Sequence, residues 1–275
     1  DKSTPLPLNL CIHRKNHALL SRHYLDILGT CNRKTFDEKY RIYELFKKEL
    51  QYAKDREQPI PHVIYKRKIF PFSDCAFILY PFKDGIEDSR KDSSALMFTM
   101  LSNVSLTILR FVFEGYLVRG GVAYGDVYID KDGYGFFGPA IECAAHLENI
   151  AVHPVLLLEP TIGKAIFEWE RSEVSPIVDL LFIKQPFLVF QKGENYYLNI
   201  FFHLQKSENL EYIDLKITRE DMIQAIDIML KNEIEKNSDK PKVLDKLNWF
   251  KNYTEENAQK VLRDDRGIAP FAIVS

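Results

Sequence analysis

Residues 21–30 read SRHYLDILGT, a short run rich in apolar residues that ends on Asp26, Ile27, Leu28, Gly29 and Thr30. Its length and its closing glycine predict a buried strand over Ser21 to Gly29. Directly after it, Phe36, Tyr40, Tyr43, Phe46 and Leu50 recur at helical spacing between Thr35 and Arg56, which completes a first βα unit. Two strand-like runs follow, VIYKRKIF (Val63 to Phe70) and CAFILYPF (Cys75 to Phe82), with Pro71, Phe72, Ser73 and Asp74 between them. They predict a hairpin with Asp74 at its turn. The run from Ser93 to Gly115 is apolar on nearly every side, as a helix buried against a sheet must be, and Gly115 suits its C-terminal cap. The next strand, Tyr116 to Asp130, carries Gly120, Gly121 and Gly125, which mark close backbone approach. The order to this point is βαββαβ.

Further out, FFGPAIECAAHLENIA opens a helix on Gly138-Pro139, PVLLLEP is a strand, and a helix begins near Thr161. IVDLLFI (177–183) and YYLNIFFHL (196–204) are two more strand candidates, and Thr218 to Asn237 and Lys242 to Leu262 read as amphipathic helices. The expected organisation is a main α/β domain over 1–209 and a helical appendage over 210–275.

Composition limits the partners. Of 275 residues, 37 are basic and 39 acidic, and the net charge of −2 offers no global field for a nucleic-acid backbone. The stretch from Val104 to Val118 is interrupted by Arg110 and Glu114 and is shorter than the roughly 20 residues of a membrane span. Residues Asp1 to Asn9 lack the apolar block of a signal peptide, so a cytoplasmic protein without membrane partners is expected. Cys11, Cys31, Cys75 and Cys143 form no CxxC pair and read as reduced thiols.

The chemistry-bearing residues are Asp26, at the end of the first strand, and Asp74, in the hairpin that should lie beside it. Two converging carboxylates repel unless a cation sits between them, and Mg²⁺ or Mn²⁺ favours a pair of carboxylates completed by substrate phosphates. The same residue types also cap helices and satisfy turns.

YLDILGT, FSDCAF, RGGVAYGDVYID and FGPAIECAAHLE, spread over about residues 20–160, resemble in order and spacing the sequence blocks of the class III nucleotidyl cyclases. The resemblance implies an α/β sandwich with a mixed, mostly antiparallel sheet. It implies a homodimer that shares its active sites between chains. Two Mg²⁺ or Mn²⁺ ions would be held by Asp26, Ile27 and Asp74, with the backbone from Ile27 through Gly29 and Thr30 on the phosphates. In the helix block, Glu142 and His146 stand where the family has the ribose-positioning Asn and the phosphate-stabilising Arg; Arg119, Arg33 and Lys34 are further candidate cations. The two base-reading positions fall on Phe70 and Gly135, which removes a purine-reading polar pair and puts an aromatic ring in its place. This pattern resembles the bacterial antiphage pyrimidine cyclases, whose cyclic UMP or cyclic CMP signals to a downstream effector, and UTP is favoured over CTP. A catalytically degenerate nucleotide-binding module, a purine cyclase of the same fold, a nucleotide-polymerising enzyme and a non-enzymatic scaffold are the alternatives.

Overall fold

The computed structural model of the chain describes residues 18–28, 35–56, 64–91, 93–130, 135–174, 186–207, 210–211 and 215–258. Eight strands form one sheet: β1 (Ala18–Ile27), β2 (Lys68–Phe72), β3 (Cys75–Tyr80), β4 (Val118–Ile129), β5 (Phe136–Phe137), β6 (Leu156–Leu158), β7 (Val189–Lys192) and β8 (Asn195–Leu198). Their order is β2-β3-β1-β4-β6-β8-β7, with β5 paired to β4. Among the described residues only β4 and β6 run parallel; every other pair is antiparallel. The helices are α1 (Phe36–Arg56), α2 (Ser93–Phe113), α3 (Pro139–Ile150), α4 (Pro160–Trp169), α5 (Phe202–Lys206), α6 (Arg219–Lys236) and α7 (Pro241–Asn257). The mixed, antiparallel-dominated α/β architecture and the βαββαβ order agree with the sequence.

Local chemistry sets the helix boundaries. Thr35 and Glu38 cap α1 reciprocally: Thr35 Oγ1 accepts from Glu38 N–H at 3.2 Å, and Glu38 Oε2 accepts from Thr35 N–H at 3.2 Å. Thr218 and Asp221 repeat the device at α6, and Pro139 occupies the first turn of α3, where its missing N–H costs nothing. One face of the sheet, with Leu25, Ile27, Ala76 and Ile78, packs against α1 and α2 in the main core. There Glu49 is buried but satisfied by Thr107 Oγ1 and Arg110 Nη1, each at 3.0 Å. On the opposite face, α3 covers β4 and β1 and leaves β3 and β2 uncovered by it.

One strand reading needs correcting. The run 196–204 is not one strand: β8 ends at Leu198 and Phe202–Lys206 is helical, because an apolar run buried all round has no period to distinguish the two. Within α2, Leu96–Phe113 has mean hydropathy 1.6 and is long and apolar enough to cross a bilayer, unlike the interrupted 104–118 stretch. It is the central core helix, with 67% of that segment buried. The strands β5 and β7 have no counterpart in the sequence reading. The strand candidate at 177–183 lies outside the described residues. The C-terminal helices share the main core, since Met222, Ile226, Leu230, Leu247 and Phe250 join the same cluster as the sheet residues.

Two buried ionisable groups give the fold a pH signature. Glu170, just after α4, accepts from Leu188 N–H at 2.6 Å and Val189 N–H at 3.1 Å, and burial pushes its carboxyl up to about 7 from an ordinary 4.5. His203 is pushed down to about 4 by burial and bonds the Ser102 carbonyl through Nε2 at 2.9 Å. A carboxyl with a raised folded pKa binds more protons folded than unfolded, so its contribution is present below its unfolded pKa and lost as pH rises through the folded value. His203 has the opposite sign, since its depressed folded pKa removes stability as pH falls below 6.5. Relative to Glu170→Gln, the wild-type chain should therefore lose melting temperature between about pH 5 and about pH 8. A difference that stays constant across that range in paired thermal melts would contradict the assignment.

Candidate active site

The antiparallel pairing of β1 with β3 sets Asp26 opposite Cys75, so Asp74 lies at the same end of the sheet. Ile27 N–H donates to the Asp74 carbonyl at 3.1 Å, which ties the hairpin turn to the end of β1. Ser73 holds a left-handed φ of 57°, the strained conformation the tight turn requires. Cys75 Sγ donates to the Phe72 carbonyl at 3.0 Å and shares a hydrogen bond with the Tyr24 hydroxyl, further fixing the turn that carries Asp74. Burial, then the charges of Asp74, Asp26 and Glu148, hold the Cys75 thiol up and protonated.

Asp26 is paired. Arg119 on β4 donates from Nε to Asp26 Oδ2 at 3.0 Å and from Nη1 to the Ala151 carbonyl at 3.3 Å. Its Nη2 lies 2.6 Å from Glu148 Oε1 at the end of α3, a charge contact rather than an aligned hydrogen bond. Burial raises the Glu148 carboxyl, the Arg119 guanidinium pulls it back, and the neighbouring Asp26 raises it again. Arg119 thus serves two carboxylates at once. Glu148 is a site residue that the sequence reading passed over, although it closes the quoted AAHLE block.

One step along the strands, β1 Tyr24 faces β3 Phe77, Phe77 faces β2 Phe70, and Phe136 on β5 closes the row. The ring centroids of Tyr24–Phe77 and Phe70–Phe136 are each 4.6 Å apart, and those of Phe77–Phe136 are 5.1 Å apart. Phe70 and the segment after Gly135 therefore meet, on the same sheet face as Asp26 and Arg119. A Cβ on Gly135 would meet only the tip of the Asp130 carboxylate, which can rotate aside. Beside Asp74, on the α1 side, is a pocket of about 580 Å³ with Lys39, Tyr40 and Tyr43 in its wall.

Glu142 and His146 are exposed on α3, on the stripe away from the buried Ala140, Ala144, Leu147 and Glu148. Within one chain they do not join the Asp26–Asp74 group. Gly29, Thr30, Arg33 and Lys34 lie outside the described residues. Among the described residues, no group of three or more His, Cys, Asp or Glu side chains could hold a metal ion. The hard oxygens at this end of the sheet are those of Asp26, whose Oδ2 accepts from Arg119, of Asp74 and of the Ile27 backbone. This donor set suits Mg²⁺ or Mn²⁺, which is usually bound by one or two carboxylates plus substrate phosphates.

No family model matches the chain, and no curated protein matches it. Among solved structures, 17 chains match. One is a bacterial light-regulated adenylyl cyclase, 10% identical, with a TM-score of 0.37 over 81% of this chain and 58% of that one. This chain thus spans little more than half the length of that protein. A likeness at this level assigns neither a residue nor an activity.

Proposed function

We propose that the chain is a nucleotidyl cyclase that closes the ribose 3′-oxygen of a nucleoside triphosphate onto its α-phosphate and releases pyrophosphate. The observation that supports this best is the placing of Asp26 and Asp74 at one end of adjacent strands, tied by the Ile27–Asp74 backbone bond. Two bound Mg²⁺ or Mn²⁺ ions would lower the pKa of the 3′-hydroxyl and neutralise the departing pyrophosphate. Asp26, Asp74 and the Ile27 carbonyl would hold them. Arg119 is the resident countercharge of Asp26, and its planar fork suits phosphate oxygens as well as the carboxylates it holds here. His146 and Glu142 would act on a nucleotide bound by a second copy of the chain, since both stand exposed on the outer stripe of α3. Tyr128 and Phe137, in ring contact at 5.3 Å, are also exposed and would belong to that homodimer face.

The substrate favoured is a pyrimidine triphosphate, UTP before CTP, and the cyclic product would act in the cytoplasm as an antiphage signal to a downstream effector. The aromatic row supports the choice of base. Stacking on an aromatic side chain contributes about 1–3 kcal/mol per base whatever its identity, so selection must come from shape. Phe70, packed on Phe136, would crowd a second purine ring if the base lies against this row. It also offers no polar atom to purine nitrogens, at about 1–3 kcal/mol for each bond left unmade. Phe70→Ala should therefore relax the preference against ATP and GTP while weakening use of UTP and CTP. Competition assays in which ATP is consumed as fast as UTP and CTP by the unaltered chain would remove the pyrimidine reading and leave the cyclase reading standing.

A further inference from the structure

A second pocket, of about 520 Å³, lies between the start of α1, the turn joining α2 to β4, and the elbow between α6 and α7. Its floor is apolar, formed by Leu28, Leu117, Met229, Val243 and Leu247. Its wall carries Lys236, Lys240, Lys242 and Lys246, opposed among the described residues by Glu38 and Glu233. Four positive and two negative charges leave an excess of two, in a chain whose net charge is −2.

Two of the lysines have nearby partners: Lys236 lies 3.7 Å from Glu233, and Lys240 Nζ donates to Asn237 Oδ1 at 3.1 Å. Lys242 and Lys246 form no ion pair within 4 Å among the described residues, although the Lys246 charge also acts on the Glu148 carboxyl. Lysine ammonium groups are compact point charges that bind phosphate well. Drawn from two successive helices, they suit a chain of phosphates better than one carboxylate. The volume is that of a small-molecule site, and an apolar floor beneath a cationic wall suits an anion that carries an apolar part.

We propose that this pocket, lined by neither Asp26 nor Asp74, is a binding site for a polyphosphate-bearing small molecule. The probes are inorganic tripolyphosphate and, separately, UTP, added to the whole chain in excess EDTA, with binding read by calorimetry and thermal shift. Each should bind saturably at one site per chain. Lys242→Ala/Lys246→Ala should weaken binding of tripolyphosphate by about tenfold or more, as expected for loss of charge-assisted contacts. Its melting temperature without probe should match that of the unaltered chain. Asp26→Asn/Asp74→Asn should bind as the unaltered chain does, so failure of the cyclase reading would leave this result in place. Lys231→Ala/Lys251→Ala, at helix positions outside this pocket paired with Asp227 and Glu255, should also change nothing. Tighter binding of UTP than of tripolyphosphate would assign the floor to the nucleoside, and equal binding would confine recognition to the phosphates; both support the site. Absence of saturable binding, or binding equally strong in Lys242→Ala/Lys246→Ala, would overturn it.

Discussion

Asp26→Asn and Asp74→Asn should each lower turnover of the preferred triphosphate by at least about a hundredfold, the scale set by removing one preorganised electrostatic group at a reacting phosphate. Both substitutions are nearly isosteric. Asp26 is part-exposed and Asp74 sits in a turn, so neither should disturb the core. Asp26→Asn also keeps an acceptor for Arg119, which retains Glu148 and the Ala151 carbonyl as partners. Melting temperatures near that of the unaltered chain would locate the loss in chemistry. If the site is shared between two copies, inactive Asp26→Asn chains mixed with inactive His146→Ala chains should recover about a quarter of full activity, because random pairing gives half mixed dimers with one intact site each. Activity close to the unaltered chain in both aspartate variants would remove the carboxylates from the reaction.

The second large effect is on folding. Gly121 on β4 lies directly beneath α3, and a Cβ there would collide with the Ala144 carbonyl and with Leu147 Cβ. A backbone carbonyl inside a helix cannot rotate away as a side-chain tip can, so Gly121→Val must lift α3 from the sheet or fail to fold. Overpacking usually costs about 1–3 kcal/mol, and a clash with fixed backbone belongs at or above the top of that range. At about 2–4 °C per kcal/mol for a domain of this size, the melting temperature should fall by about 10 °C or more. Gly193 provides the contrast. Its φ of 61° favours glycine, but a Cβ there meets nothing within 4 Å, so Gly193→Ala should cost only about 1 kcal/mol. Similar melting curves for the two variants would show that α3 does not pack on β4 as described.

The boundaries of α1 and α2, the hairpin turn at Asp74 and the close approach at Gly121 were legible because each has a local cause: period, turn chemistry or a missing side chain. The unread elements lack one. β5 is two residues held only by Tyr128 and Ile129, too short for any alternation, and α5 lies in a run apolar on every side. The amphipathic stripe of α6 was visible, but not that Met222, Ile226 and Leu230 would enter the main core. Asp26 and Asp74 could be named because strand ends and turns are local features. The Arg119 bridge could not, since it joins residues 93 and 29 positions apart through a register that only the folded sheet defines. Phe70 and Gly135 were paired by resemblance; the physical link, Phe70 against Phe136, depends on β5, which the sequence concealed.

The most direct measurement is to incubate the chain with each of the four nucleoside triphosphates and Mn²⁺ and to identify the products by mass spectrometry. The expected products are a 3′,5′-cyclic monophosphate and an equal amount of pyrophosphate, formed fastest from UTP or CTP and lost on addition of EDTA. Linear or oligomeric nucleotides, or triphosphates returned intact under conditions where they bind, would contradict the cyclase reading.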